Sequence, residues 1–294
     1  MKFKNLINIS ELNREDIIDI LKYADQLNIK NENFLCGKNI GLIFEKNSTR
    51  TRLSFQVGIN QLEGNYIDIK LNELNLDRFE SYEDTFEIMA CYLDSLIFRT
   101  NDHQKLELAK KFFKKPIINA LSEKSHPCQA ISDIYTIKDH FKRLDNINIS
   151  WLGDMNNVLY SLIEIINLLG GFKIHIFTDE KIYSNLKNQF NLTDDVVVHF
   201  ELDHDVLTSS NCIMTDVHNS MNDKMDKELE LKKFQVNEEL MAKTKEDAVF
   251  MHCLPAKIGS EVTSNVIKGN KSIVLSQAKN RMIAQKGILK WLDI

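Results

Sequence analysis

Glycine and proline are scarce in this chain, ten and three among 294 residues. A protein with so few turn-formers is not a low-complexity, collagen-like or linker-rich chain. The five cysteines, Cys36, Cys91, Cys128, Cys212 and Cys253, are odd in number, widely spaced and free of any Cys-x-x-Cys pair. That excludes a disulfide framework and a zinc-ribbon pattern, and it suits a reducing compartment. No apolar run approaches the length of a membrane span. The opening Met1-Lys2-Phe3-Lys4-Asn5 lacks the apolar core of a secretory signal, so a cytoplasmic protein is expected. There is no basic excess either: 37 Lys and Arg stand against 42 Asp and Glu, a net charge of −5. A nucleic-acid partner, which calls for a basic face, is not expected.

What is present is the composition of a folded protein, 43% hydrophobic and 27% charged. Short apolar runs alternate with helical patterns. Strands are predicted at Ile40–Glu45, Ser95–Arg99, Ile117–Ala120, Ile147–Leu152, Phe172–Phe177, Val196–Phe200, Asn211–Thr215 and Val249–Cys253. Helices are predicted from the 48–52 region to about Leu62, over Pro127 to about Phe141, Asn157–Leu169 and Gln277–Leu292. Such alternation predicts an α/β protein of two doubly wound domains, each with a central, mainly parallel sheet flanked by helices. The boundary is placed near residue 145, in the polar stretch Arg143-Leu144-Asp145-Asn146, giving domains 1–145 and 146–276. The C-terminal helix, about 277–294, is expected to pack back on the first.

In parallel sheets ligands bind beyond the carboxyl ends of strands, and that is where the polar motifs fall. Ser48-Thr49-Arg50-Thr51-Arg52 follows a strand and opens a helix. Ser48 or Thr49 can cap that helix, and a helix N-terminus with hydroxyls and arginines suits a phosphate. Arg99 closes a strand. His126-Pro127-Cys128-Gln129 lies between a strand and a helix, with proline at the first helical position. In the second half, Gly153-Asp154-Met155-Asn156-Asn157 enters a helix without the G-x-G-x-x-G glycines, which excludes a dinucleotide site. Asn156 suits a helix cap better than Asn157. Asp216-Val217-His218-Asn219-Ser220-Met221 and His252-Cys253-Leu254-Pro255 each end a strand. No metal-ligand spacing appears, and neither metal nor cofactor is expected.

The Ser-Thr-Arg-Thr-Arg run, Arg99, the His-Pro-x-Gln pattern, Gly-Asp-x-Asn-Asn, Asp-x-x-x-Ser-Met and His-Cys-Leu-Pro resemble, in order, the motifs of the aspartate/ornithine carbamoyltransferases. The likeness runs from about Phe44 to Trp291 and favours the ornithine type. It implies carbamoyl phosphate and L-ornithine as substrates, and a homotrimer or a multiple of trimers. Ser48, Thr49, Arg50, Thr51, Arg99, His126, Gln129, Cys253, Leu254 and Arg281 would then bind carbamoyl phosphate. Within that set, His126 would donate to the carbonyl oxygen and Gln129 would hold the carbamoyl amide. Asn157, Asp216, Ser220 and the Met221 backbone would bind the amino-acid end of ornithine, while Cys253 and the Leu254 carbonyl hold its δ-amine. The catalytic set would be Arg50, Arg99, His126, Asp216 and Cys253. The sequence departs from the resemblance at Asn222, where glycine is usual, and at His218, where tryptophan is common. Aspartate, putrescine or an N-acylated ornithine stay open as acceptors, as does a non-catalytic relative. The acidic and neutral acceptor motifs suit a substrate with two amines better than one with an extra carboxylate.

Overall fold

A computed structural model describes residues 3–77, 79–219 and 226–294. The strands are β1 (Asn39–Phe44), β2 (Asn65–Ile69), β3 (Ser95–Arg99), β4 (Ile117–Leu121), β5 (Ile147–Leu152), β6 (Phe172–Phe177), β7 (Val196–His199), β8 (Cys212–Thr215) and β9 (Val249–His252). Between them run helices α1 (Arg14–Ile29), α2 (Arg50–Gln61), α3 (Tyr82–Tyr92), α4 (His103–Phe112), α5 (Pro127–Phe141), α6 (Asn157–Leu169), α7 (Glu180–Leu186) and α8 (His204–Ser209). The short α9 (Glu228–Leu231), α10 (Glu238–Ala242) and α11 (Ser264–Ile267) precede the long α12 (Val274–Trp291). The chain divides into two compact units, one of 1–135 with 279–294, the other of 136–278. Both divisions fall inside helices, α5 and α12, and the polar stretch 143–146 lies further along, between α5 and β5.

The first unit holds a four-stranded sheet in the order β2-β1-β3-β4, the second a five-stranded sheet in the order β7-β6-β5-β8-β9. Every strand pair is parallel. The chain winds one way from β1 to β2 and the other way to β3 and β4, so the first sheet reverses between β1 and β3. By the same logic the second reverses between β5 and β8. These reversals open a crevice at the carboxyl ends of the two strands concerned.

Apolar burial builds both units. In the first, Ile43, Phe86, Leu96, Phe98, Leu106 and Ile117 form one cluster, with the Phe86 and Phe98 rings 6.1 Å apart. In the second, eight of the thirteen residues of α6 are buried, as are Ile149, Trp151, Ile174, Ile213 and Phe250 of the sheet. Each such side chain contributes roughly 1.5–3 kcal/mol of transfer free energy. The open edge of β4 is covered by the N-terminal segment, where Leu6 N–H donates to the Ile117 carbonyl and Asn119 N–H to that of Leu6, both at 2.8 Å. Covering an edge removes a template for association.

Helix α12 is unusual because it buries polar residues: Gln277, Asn280, Arg281, Gln285 and Lys286 are all under 5% exposed. Lys286 Nζ is held by the Leu27 carbonyl, Asn31 Oδ1 at 2.7 Å and Gln61 Oε1. Gly287 lets α12 cross α1 closely, since a Cβ there would sit 2.5 Å from the Ile20 carbonyl oxygen.

Neighbouring strands β6 and β7 bring His175 Nδ1 within 2.9 Å of His199 Nε2, and the His199 ring stacks on Phe177. Burial first, then His199 and Lys173, push the His175 pKa from 6.5 down to about 4, against Asp203. His199 is lowered by burial as well, again against Asp203. The folded state therefore resists a proton that the unfolded chain accepts. Stability contributed by His175 is complete above pH 6.5 and is lost as pH falls toward about 4. Urea midpoints measured from pH 7 to 5 are expected to fall more steeply for the wild type than for His175→Gln; parallel slopes would remove His175 from the linkage.

Candidate active site

The site residues of the first unit gather where its sheet reverses. Phe44, the last residue of β1, is registered against Arg99, the last of β3. The turn after β1 carries Ser48, and Arg99 Nη1 donates to Ser48 Oγ at 3.0 Å. Thr49 is the N-cap residue of α2, yet its side chain makes no capping bond. The expected hydroxyl cap at this helix is therefore replaced by another arrangement. Ser48 accepts from an arginine instead, and the first-turn N–H groups are left without a capping hydroxyl from Thr49, as an anion site needs. Arg50, the first residue of α2, is half-buried, and Thr51 behind it is buried. Thr51 Oγ1 accepts from Arg281 Nη1 at 3.2 Å. Arg281 is 4% exposed, so this arginine near the end of the chain is no surface residue.

His126 reaches the same group from the β4–α5 loop. That loop is held by a buried network in which Asn119 Nδ2 donates to the Ile7 carbonyl and to Ser125 Oγ, and Ser125 Oγ donates to Asn8 Oδ1 at 2.9 Å. His126 is 4% exposed. Burial first, then Arg281 and Arg99, hold its pKa well below the ordinary imidazole value, so at neutral pH it is an uncharged ring with one N–H to donate. Cys128, two residues on, is buried and donates toward the Asn119 carbonyl. Burial pushes its thiol up to about 12, which makes it an inert core thiol. Gln129 is fully buried, and its Nε2 donates to Asp133 Oδ1 at 2.7 Å.

The second unit repeats the pattern at the β5/β8 reversal. Asn156 is the N-cap of α6, its Oδ1 accepting from the N–H groups of Val158 and Leu159, and its Nδ2 donates to Asp216 Oδ2 at 2.8 Å. Asn157, the first residue of the helix, is half-buried. Asp216, just past β8, is 6% exposed, and its other oxygen, Oδ1, accepts from Cys253 Sγ at 3.0 Å. Leu254 N–H donates to His252 Nδ1 at 2.8 Å, which puts the ring proton of a neutral His252 on Nε2, beside Glu261 Oε1 at 3.1 Å. The Leu254–Pro255 bond is cis. Among the described residues, Asp216, His252 and Cys253 are the group whose donor atoms, within 4.8 Å of one another, fit a metal ion. A metal there would have to replace the Cys253–Asp216 bond and the Leu254–His252 bond.

Ser220 and Met221, with the Asn222 departure, lie outside the described residues. The described ends of that segment are tied down: Asn219 accepts from Lys227 N–H and donates to Asp226, and Lys227 Nζ contacts both oxygens of Asp154, at 3.0 and 2.9 Å. Asp154 is 2% exposed. His218 is buried, with neither ring nitrogen hydrogen-bonded among the described residues. It packs so close to Gly153 (φ +122°) that a Cβ there would lie 3.1 Å from its ring. Sequence reasoning does not single out Asp133, Glu261 or the Asp154–Lys227 pair. Only Asp133 carries a usable signal, standing four residues after Gln129 on one helical face.

Comparison with known proteins adds an independent line. The carbamoyl-P binding domain of the aspartate/ornithine carbamoyltransferases matches residues 4–139, and their Asp/Orn binding domain matches residues 145–292. The ornithine carbamoyltransferase of Methanocaldococcus jannaschii is 37% identical, covering 98% of this chain and 98% of that protein. That of Listeria innocua is 36% identical, over 97% and 94%. Among solved structures, ornithine carbamoyltransferase from Pyrococcus furiosus aligns with a TM-score of 0.86 at 34% identity, covering 97% of this chain and 96% of that one. The Burkholderia thailandensis enzyme aligns with a TM-score of 0.88 at 30% identity, over 98% of each. Matched along both halves, in one order and by proteins of one kind, the chain belongs to the aspartate/ornithine carbamoyltransferase family.

Proposed function

We propose that this protein transfers the carbamoyl group of carbamoyl phosphate to the δ-amine of L-ornithine, giving L-citrulline and phosphate. The observation that carries the choice of acceptor is the Cys253–Asp216 contact, 3.0 Å, with Asn156 on the other carboxylate oxygen. A buried acid beside a thiol suits a diamino acid and repels a second carboxylate. The ornithine carbamoyltransferases among the relatives support the same reading.

In the first unit Ser48, Thr49, Arg50 and Thr51, with the opening N–H groups of α2, cradle the phosphate, and Arg281 completes that cradle. Arg99 and neutral His126 donate to the carbamoyl oxygen, where negative charge grows as the amine adds. Gln129 holds the carbamoyl nitrogen. In the second unit Asn157, Asp216, Ser220 and the Met221 backbone take the α-ammonium and carboxylate. Cys253 and the Leu254 carbonyl hold the δ-nitrogen. Free ornithine carries a δ-ammonium with a pKa of about 10, so it must shed a proton before it can attack. The Asp216 carboxylate, with Cys253 beside it, draws off that proton and passes it to solvent. The amine lone pair then forms the N–C bond and the C–O bond to phosphate breaks. Phosphate departs with that electron pair and takes up the proton released by the nitrogen. The chemistry asks for no electron transfer.

We further propose a cytoplasmic homotrimer. Among the described residues no helix is long and apolar enough to cross a membrane. Leu53 and Val57 on α2, Ile67 on β2, and Ile88 and Tyr92 on α3 are exposed apolar side chains of the first unit, suited to a second copy.

Purified protein given carbamoyl phosphate with ornithine, aspartate, putrescine or acetylornithine tests the reaction. Citrulline from ornithine, with little product from the others, is expected. Product only from another acceptor, or binding of carbamoyl phosphate without turnover, overturns it. Light scattering on the same preparation should return the mass of three copies; a monomer mass removes the trimer.

A further inference from the structure

We propose that Asp133 is a positioning residue that fixes the Gln129 amide so that its oxygen faces the donor substrate, selecting a carbamoyl group over an acyl group without N–H. This rests on the reading of the first unit as the carbamoyl-phosphate site. Gln129 and Asp133 are one turn apart on α5 and neither is exposed to solvent. A carboxylate only accepts, so the 2.7 Å contact assigns the Gln129 nitrogen to Asp133. The amide oxygen must then face the other way. That Oε1 is buried and has no hydrogen-bond partner among the described residues.

A buried acceptor without a donor is costly, and a protein tolerates one where a ligand supplies the missing group. Gln129 stands in the first turn of α5, its N–H donating to the carbonyl of His126. The ligand group suited to Oε1 there is an N–H donor. A carbamoyl nitrogen carries two such donors and an acetyl methyl carries none, although the two groups are nearly equal in size. Without Asp133 nothing in this pair tells the amide which way to turn, because its terminal torsion is broad and two-fold. Rotated, Gln129 would present its own NH₂ to the carbamoyl NH₂, donor against donor. An acceptor locked in place therefore does more than bind. It turns a difference of NH₂ against CH₃ into a difference of affinity.

The test is competition among carbamoyl phosphate, acetyl phosphate and inorganic phosphate. In Asp133→Asn the new amide can donate to Gln129 Oε1 and turn the glutamine round. The KM for carbamoyl phosphate is expected to rise by at least about tenfold. Inhibition by inorganic phosphate should hold constant, and inhibition by acetyl phosphate should be unchanged or tighter. The double variant Gln129→Glu with Asp133→Asn is the decisive arm. The introduced carboxylate would accept from the introduced amide with one oxygen and offer the other to the substrate, so most of the selectivity should return. This pair also keeps one carboxylate in the helix, so it serves where the single variant fails to fold. Equal weakening of all three ligands, or a double variant no more selective than Asp133→Asn, overturns the assignment. A wild type that makes no citrulline overturns the reading of activity instead, and the two failures are told apart by that assay.

Discussion

Replacing His126 with alanine will lower kcat by about a hundred- to a thousandfold, the usual effect of removing one donor to a developing oxyanion. The expectation follows from the ring's surroundings. His126 is 4% exposed, on a loop held by the Asn119–Ser125–Asn8 network. Burial and the nearby Arg281 and Arg99 keep it neutral, well below the ordinary titration range. A neutral imidazole donates one N–H and brings no charge to compete with the arginines for phosphate. The loss should therefore appear mainly in kcat, with carbamoyl-phosphate binding much less affected. His126→Gln, which retains an N–H donor, should recover part of the rate. A normal imidazole would inflect the pH–rate profile near about 6.5, and none attributable to His126 is expected between about pH 6.5 and 8. Full activity in His126→Ala, or an inflection in that region that disappears in His126→Gln, would sink this assignment.

Asp216→Asn is the second large effect, and it should fall on the other substrate. The carboxylate receives Cys253 on one oxygen and Asn156 on the other. An asparagine there must turn its NH₂ toward one of those donors, so one of the two contacts becomes donor against donor. It also removes the negative charge that would meet an ammonium in a site 6% exposed. Losing one partner of a buried ionic contact costs roughly 3–5 kcal/mol, so kcat/KM for ornithine should fall by about a hundred- to five-thousandfold. On the proposed reading, carbamoyl phosphate binds mainly through first-unit residues. Its dissociation constant, measured calorimetrically without acceptor, should change little, by about twofold at most. Equal losses for both substrates would mean that Asp216 supports the fold and not the acceptor.

The elements legible in the sequence are those with a regular apolar signal. β1, β3 and β9 read as short apolar runs, β5 and β6 as apolar residues at every second position, and the ends of all five agree with the sequence reading to within a residue. β2 escapes such a reading because nothing in Asn65–Ile69 marks a core: it is an edge strand, exposed along nearly its whole length. Its place comes from pairing with β1, a contact between distant parts of the chain. Helix α1 is also absent from the sequence reading, although Asn13 and Asp16 form a reciprocal capping box and Ile17, Ile20, Leu21, Ala24 and Leu27 repeat at helical spacing.

Residue types and their order determined the family resemblance and the two-sheet parallel architecture. They determined also that the polar motifs follow strands, since hydrophobic periodicity and strand-end motifs are local properties of the chain. Only the tertiary structure decided which of those motifs meet. Ser48 reaches Arg99, Thr51 reaches Arg281, and Asn156 reaches Asp216 and through it Cys253. It also turned Arg281 from a residue on a polar-looking helix into a buried one, and it made Asp133 the partner of Gln129. The physical reason is that spacing along the chain says nothing about where a parallel sheet reverses. That is settled by which strands pair, and the pairing brings loops distant in sequence to the same carboxyl-end crevice.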